Sequence, residues 1–149
     1  MTFRAGWNFL MTPGPTNIPD RVLREMARPA LEYAGPEFTE LSKGVHNDLK
    51  KLFKTSAEVF IYAANGHGAW EAALSNTLSP GDLVLVPETG QFSSSWSLMA
   101  ESLQINSLYM PGDWRTGVDP DEVEKALRED TQHKIKAVLM VHTDTATSV

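Results

Sequence analysis

Apolar positions along this chain fall first into two helical stretches and then into alternating strand and helix patterns. Residues 20–27 place Val22, Leu23 and Met26 on one side of a short helix, which breaks at Pro29. Pro36 sits in the first turn of a longer helix, with Phe38, Leu41, Val45, Leu49, Leu52 and Phe53 at near-helical spacing through Lys54. Ahead of both, residues 11–19 carry Pro13, Pro15 and Pro19, which remove backbone donors and restrict their predecessors, so an irregular loop or tail is expected there. Residues 59–64 read as a short apolar strand. A helix follows with Ala69, Trp70, Ala73, Leu74 and Leu78 on one buried face, and Ser79-Pro80-Gly81-Asp82 is a turn by composition. Residues 83–86 make a second strand, and the next helix carries Trp96, Met99, Ala100 and Leu103. Residues 105–110 are a third strand. Asp119 and Glu122 flank the start of a helix that has Pro120 at its first position and runs to about Arg128, and residues 135–141 are the last strand. Strands separated by helix-length segments predict an α/β fold: a mostly parallel sheet with flanking helices, and ligands at the carboxyl ends of the strands.

Composition narrows the function classes. The chain has 149 residues, 42% hydrophobic and 21% charged, enough for one domain with a real core. A net charge of −6 argues against generic nucleic-acid binding, and the densest basic cluster, Lys50, Lys51 and Lys54, reads as a solvated helix face. No apolar run approaches a membrane span and the first ten residues lack a signal-peptide pattern, so a cytoplasmic protein with no membrane partner is expected. Zero cysteines remove disulfides, thiolate metal sites and cysteine nucleophiles. His46, His67, His133 and His142 show no metal-ligand spacing, so no metal site is expected.

The strongest candidate chemistry lies at Asn65-Gly66-His67-Gly68, between the residue 59–64 strand and the helix after it. Two glycines let backbone N–H groups approach a ligand, and unsatisfied amides at a helix start favour a phosphate. The helix dipole adds only about 0.3–1 kcal/mol at an exposed site. Such a turn serves equally well merely to close a chain, so other segments must decide.

Four segments do so in combination: Pro13-Gly-Pro-Thr-Asn-Ile-Pro19, Gly35-Pro-Glu-Phe38, the stretch from Asn65-Gly-His-Gly-Ala-Trp to Ser-Pro-Gly-Asp82, and Val141-His-Thr-Asp-Thr-Ala-Thr-Ser-Val149. In this order they resemble the class V aminotransferases of the serine-glyoxylate, serine-pyruvate and alanine-glyoxylate group, over nearly the whole chain. The resemblance implies the large domain of fold type I, incomplete here, with a pyridoxal 5′-phosphate (PLP) cofactor and a homodimer. It further implies transamination between a small amino acid, serine or alanine, and a 2-oxo acid, glyoxylate or pyruvate. Asn65, Gly66 and His67 match the phosphate-cradling segment, where relatives have serine at the first position and histidine or threonine at the third. Phe92 matches the aromatic that stacks on the pyridine ring, and Thr145 the hydroxyl residue that bonds the cofactor. Gly14, Pro15 and Thr16 match a loop near the substrate. Each has a plain structural alternative: a backbone-only helix start, a core phenylalanine, a turn-capping threonine, a rigid loop.

The departures matter as much. A His-Arg pair of many relatives is missing around Glu32-Tyr-Ala-Gly35, and Thr143, Asp144 and Ser148 replace the Asn, Glu and Gly of the common strand-end segment. The family's pyridine-pairing aspartate, Schiff-base lysine and substrate-binding arginine have no counterparts here. Lys43, Lys50, Lys51, Lys54, Lys125, Lys134 and Lys136 fall in surface helices or at a strand start. Residues 1–149 are therefore expected to be the N-terminal segment and first part of the PLP-binding large domain, carrying no catalytic residue and inactive in isolation. A PLP-dependent lyase or desulfurase-like relative and a non-catalytic fragment are the alternatives, and the ending after the last strand reads as an interrupted domain.

Overall fold

Val84, Leu85 and Val86 have no exposed surface, and a run of β-branched and leucine side chains buried on both faces belongs at the centre of a parallel sheet. They form the middle of β1 (Leu83–Pro87). The strand pairs in parallel with β2 (Asn106–Met110) on one side and β3 (Ile135–Val138) on the other, giving the order β2-β1-β3. The computed structural model describes Gly6, Phe9, Leu10, Gly14 and residues 16–149, which divide into two compact units, Met1–Ile61 and Tyr62–Val149.

In the second unit, helices α3 (Gly66–Thr77) and α4 (Gln91–Ser102) pack on one face of the sheet. Val84 and Val86, two residues apart and so on one face, join Leu74 of α3, Ala100 of α4, Ile105 and Leu139 in the core. Trp96, Met99 and Leu103 lean against this cluster, so the predicted apolar stripe of α4 is the one buried. Helix α5 (Pro120–Glu129) starts as its sequence dictates, with the Asp119 carboxylate accepting the Asp121 N–H at 2.9 Å and proline in the first turn.

The first unit contains α1 (Asp20–Met26) and α2 (Pro36–Phe53), both close to their expected bounds. Lys54 stops α2 in the left-handed conformation (φ 51°), and the Thr55 N–H returns to the Lys50 carbonyl at 3.0 Å. Neither helix buries any residue fully, and Leu41, Leu52 and Phe53 are exposed.

Two expectations fail. Residues 59–64 form no strand: Phe60 is 75% exposed, and the run has no ladder partner among the described residues. A strand is made by its neighbour's donors and acceptors, and apolar composition cannot supply them. The last strand is shorter than residues 135–141. Beyond Val138 only the Leu139 N–H still bonds β1, at Leu85, before the chain leaves the sheet.

Leu74, at 1% exposure, should make the cost of an emptied core visible. Leu74→Ala is expected to destabilise by about 2–5 kcal/mol in urea unfolding. Leu98→Ala, on the exposed side of α4, should stay within about 0.5 kcal/mol. Equal effects would place the core elsewhere.

Candidate functional site

Parallel pairing brings the carboxyl ends of β1 and β3 side by side, and both chains leave the sheet there into structured turns. The loop after β3 delivers Asp144, whose carboxylate has no exposed surface. One oxygen accepts the backbone N–H groups of Phe92 at 2.8 Å and Ser93 at 3.3 Å, and the other accepts that of Ala146 at 3.0 Å. A buried charge persists only when so satisfied, and the positive end of a helix is a favourable place for it. The Asp144 carbonyl accepts the Ser148 N–H at 2.7 Å, and the Thr147 hydroxyl donates to the Thr89 carbonyl at 2.9 Å. Ser93 Oγ accepts the N–H groups of Thr89 and Gly90 at 2.9 and 3.1 Å. Gly90 is required by close approach: a Cβ there would lie 2.7 Å from Asp144 Cγ and 2.8 Å from Thr147 Cγ2.

The start of α3 is built differently. Asn65 is its N-cap, the side-chain oxygen accepting the His67 N–H at 3.1 Å, and the Gly68 N–H bonds the Asn65 carbonyl at 3.1 Å. The Gly66 N–H has no partner among the described residues, and a Cβ on Gly66 would meet nothing within 4 Å. A Cβ on Gly68 would lie 2.5 Å from that of Ala64. One glycine of the turn therefore serves packing, and the other has open space where a side chain would stand and an N–H without a partner among the described residues.

Four rings join the two helix starts. His67 lies edge-on to Trp70 with centroids 4.9 Å apart, and 5.9 Å from Phe92. Trp70 stacks on Trp96 at 4.8 Å and meets Phe92 edge-on at 6.1 Å. Of the expected cofactor residues, the fold thus unites His67 and Phe92, with Asn65 and Gly66 at the same helix start. Thr145 is exposed and follows directly on Asp144, the residue bonded to the Phe92 amide. Gly14 and Thr16 are exposed in the first unit, and Pro15 lies outside the described residues.

Reading the sequence assigned Asp144 no partner at this edge and missed Gly90 and Trp70 as parts of it. Asp144 and Phe92 are 52 positions apart, so no local motif links them. The one available signal was an acid just past a strand at the ligand-binding edge.

Beside this edge a cavity of about 510 Å³ opens over the ends of β1 and β2, lined by Glu88, Tyr109, Gly112, Asp113, Asp119 and Glu122 among others. Glu88 accepts the Gly112 N–H at 2.8 Å and the Trp114 indole N–H at 2.6 Å. A Cβ on Gly112 would collide with the Glu88 carbonyl. Burial works against the Glu88 carboxylate, but bonds from Gly112, Trp114, Tyr109 and Ser94 outweigh it and hold its pKa below the ordinary value. Burial also raises Tyr109, whose hydroxyl meets Ser94 Oγ at 2.7 Å. The lysines of this unit stand away from the carboxyl edge: Lys125 is on α5, Lys134 precedes β3 and Lys136 is its second residue. Among the described residues no group of His, Asp or Glu could hold a metal ion, and no helix is long and apolar enough to cross a membrane.

No family model matches the chain. In sequence it is 46% identical over 149 residues to a serine–glyoxylate aminotransferase of Methylorubrum extorquens, covering 99% of this chain and 37% of the relative. It is 37% identical over 143 residues to an L-aspartate–glyoxylate aminotransferase of Paracoccus denitrificans, covering 95% and 36%. In structure it matches ureidoglycine–glyoxylate aminotransferase from Bacillus subtilis with a TM-score of 0.82 and 30% identity, over 97% of this chain and 38% of that one. The chain therefore spans little more than a third of the length of the relatives it matches.

The Glu88 bonds give this edge an acid-sensitive component. Because the folded pKa is lowered, the stabilisation is complete above the ordinary glutamate value of about 4.3 and is lost as pH falls through the folded value. Urea midpoints of the protein and of Glu88→Gln should differ at pH 7 and draw together as the pH falls below the ordinary glutamate value. A gap that does not change with pH would remove Glu88 from this role.

Proposed function

We propose, from the premise that this chain belongs to the class V aminotransferase family, that its second unit holds PLP at the carboxyl edge of the sheet. The observation that carries the reading is the start of α3, where the Gly66 N–H has no partner among the described residues, a Cβ on Gly66 would meet nothing within 4 Å, and the His67 ring of the same turn lies 5.9 Å from that of Phe92. A dianionic phosphate fits that place: the cap is the neutral Asn65 and the first turn of α3 has no acidic residue. The start of α4 suits a phosphate less, since the Asp144 carboxylate already takes the Phe92 and Ser93 amides and would repel a second anion. Phe92 supplies a flat apolar face for the pyridine ring and Thr145 an exposed hydroxyl for a cofactor oxygen.

When bound, PLP provides the electron sink that lets an amino acid lose its α-proton and pass its amino group to a 2-oxo acid. This chain's part is to bind and orient. Asn65, Gly66 and His67 fix the phosphate end, Phe92 restricts the ring, and the Trp70–Trp96 stack backs Phe92. The anchoring lysine belongs outside this segment, in line with the placement of Lys125, Lys134 and Lys136 away from the carboxyl edge. The three relatives described above share glyoxylate in their names and differ in the amino donor. That supports glyoxylate as the 2-oxo acid and, by the 46% identity, serine as the donor. The same reading takes residues 1–149 as the N-terminal segment and first part of the large domain of a cytoplasmic homodimer, with residues 14–16 near the substrate.

Gly66 permits a clean test because a Cβ there meets no protein atom within 4 Å. Gly66→Leu is expected to leave the urea midpoint undiminished, leucine being the better helix former, while weakening PLP binding at least about tenfold in equilibrium dialysis. Undiminished affinity would return the turn to a simple helix start. Phe92→Ala should weaken PLP by the roughly 0.5–1.5 kcal/mol of a ring pair, together with some lost burial.

A further inference from the structure

Helix α4 has Ser93 Oγ to accept the Gly90 N–H, but no N-cap side chain to take the amides of its first turn. Its N-cap is Gly90, and any side chain there would strike Asp144 and Thr147. A serine or asparagine at the N-cap is the ordinary local solution. Here the cap comes instead from Asp144, 52 positions from Phe92 and on the loop that follows β3. The same loop is tied to the residue before Gly90 through Thr147 and Thr89. The remote cap therefore links two segments that a local cap would leave independent: the one carrying the Phe92 ring and the one carrying the Thr145 hydroxyl.

We propose that Asp144 is a positioning residue for the cofactor ring: its buried carboxylate locks the Phe92 amide to the residue 144–149 turn, setting the Phe92 ring and the Thr145 hydroxyl on one frame. This rests on the PLP reading of the site. The division of labour is specific. Asp144 bonds no group at the start of α3, so the phosphate cradle at Gly66 does not depend on it. Loss of the carboxylate releases the ring-holding pair and spares the phosphate end. A role confined to stability would weaken every ligand alike.

The test uses the full chain, with Asp144→Asn as the near-isosteric change. Dialysis affinities are measured for PLP and for inorganic phosphate, and hydrogen exchange is followed at the Phe92 and Ser93 amides. PLP affinity is expected to fall about tenfold, the worth of a charged hydrogen bond, while phosphate affinity holds and the two amides exchange faster. Asp144→Glu should recover part of the PLP affinity. A parallel fall for both ligands, or no change in either, overturns the assignment. If Asp144→Asn lowers helicity, Thr147→Val loosens the same turn without touching the helix amides. It should weaken PLP a few-fold with phosphate unaffected, and an unchanged PLP affinity there also overturns it. The unsubstituted chain separates the two readings: failure to bind PLP at all removes the cofactor site, and this inference with it, whereas binding that is indifferent to Asp144 removes the inference alone.

Discussion

The carboxyl edge exists because one strand is buried on both faces and bonded in parallel on both sides. With Val84, Leu85 and Val86 fully enclosed, β1 cannot slip relative to β2 or β3 without exposing them. Ladder bonds continue past the strands proper, from the Glu88 N–H to Met110 and from the Leu139 N–H to Leu85. The segments that leave the sheet therefore start from fixed points. Glu88 can knit the end of β2 to β1, and Asp144 can reach the start of α4, because the distances between strand ends are set beforehand by the ladder.

Much of this was legible in the sequence where the information is local. Period-3.6 spacing located α2 and α4, proline and acidic caps located the start of α5, and turn chemistry located residues 79–82. The failures share one cause. Whether residues 59–64 pair depends on a neighbouring strand, and whether Asp144 is a loop residue or a buried cap depends on a helix 52 positions earlier. Neither partner can be seen from the segment itself. Phe92 is a middle case: its helix was readable, but its ring contacts with His67 and Trp70 need α3 and α4 to be packed first.

The two helix starts at this edge show how similar sequences acquire different electrostatic character. Both open at a turn containing glycine, and neither has an acidic residue in its first turn. At α4 the glycine admits a carboxylate from another segment, which takes the Phe92 and Ser93 amides. At α3 the cap is neutral and short-range, and the Gly66 amide has no partner among the described residues. Nearness to a strand end does not by itself make a helix start a ligand site; what the fold has already spent there decides it.

Gly66 shows the limits of judging a residue by what it does for the polypeptide. In the first turn of a helix glycine is a poor helix former, nothing crowds a side chain built there, and no unusual backbone angle excuses it. Any redesign that scored this sequence for folding alone would replace it early and register an improvement. The resulting protein would be sturdier and, at a helix start whose first amide has no partner among the described residues, closed.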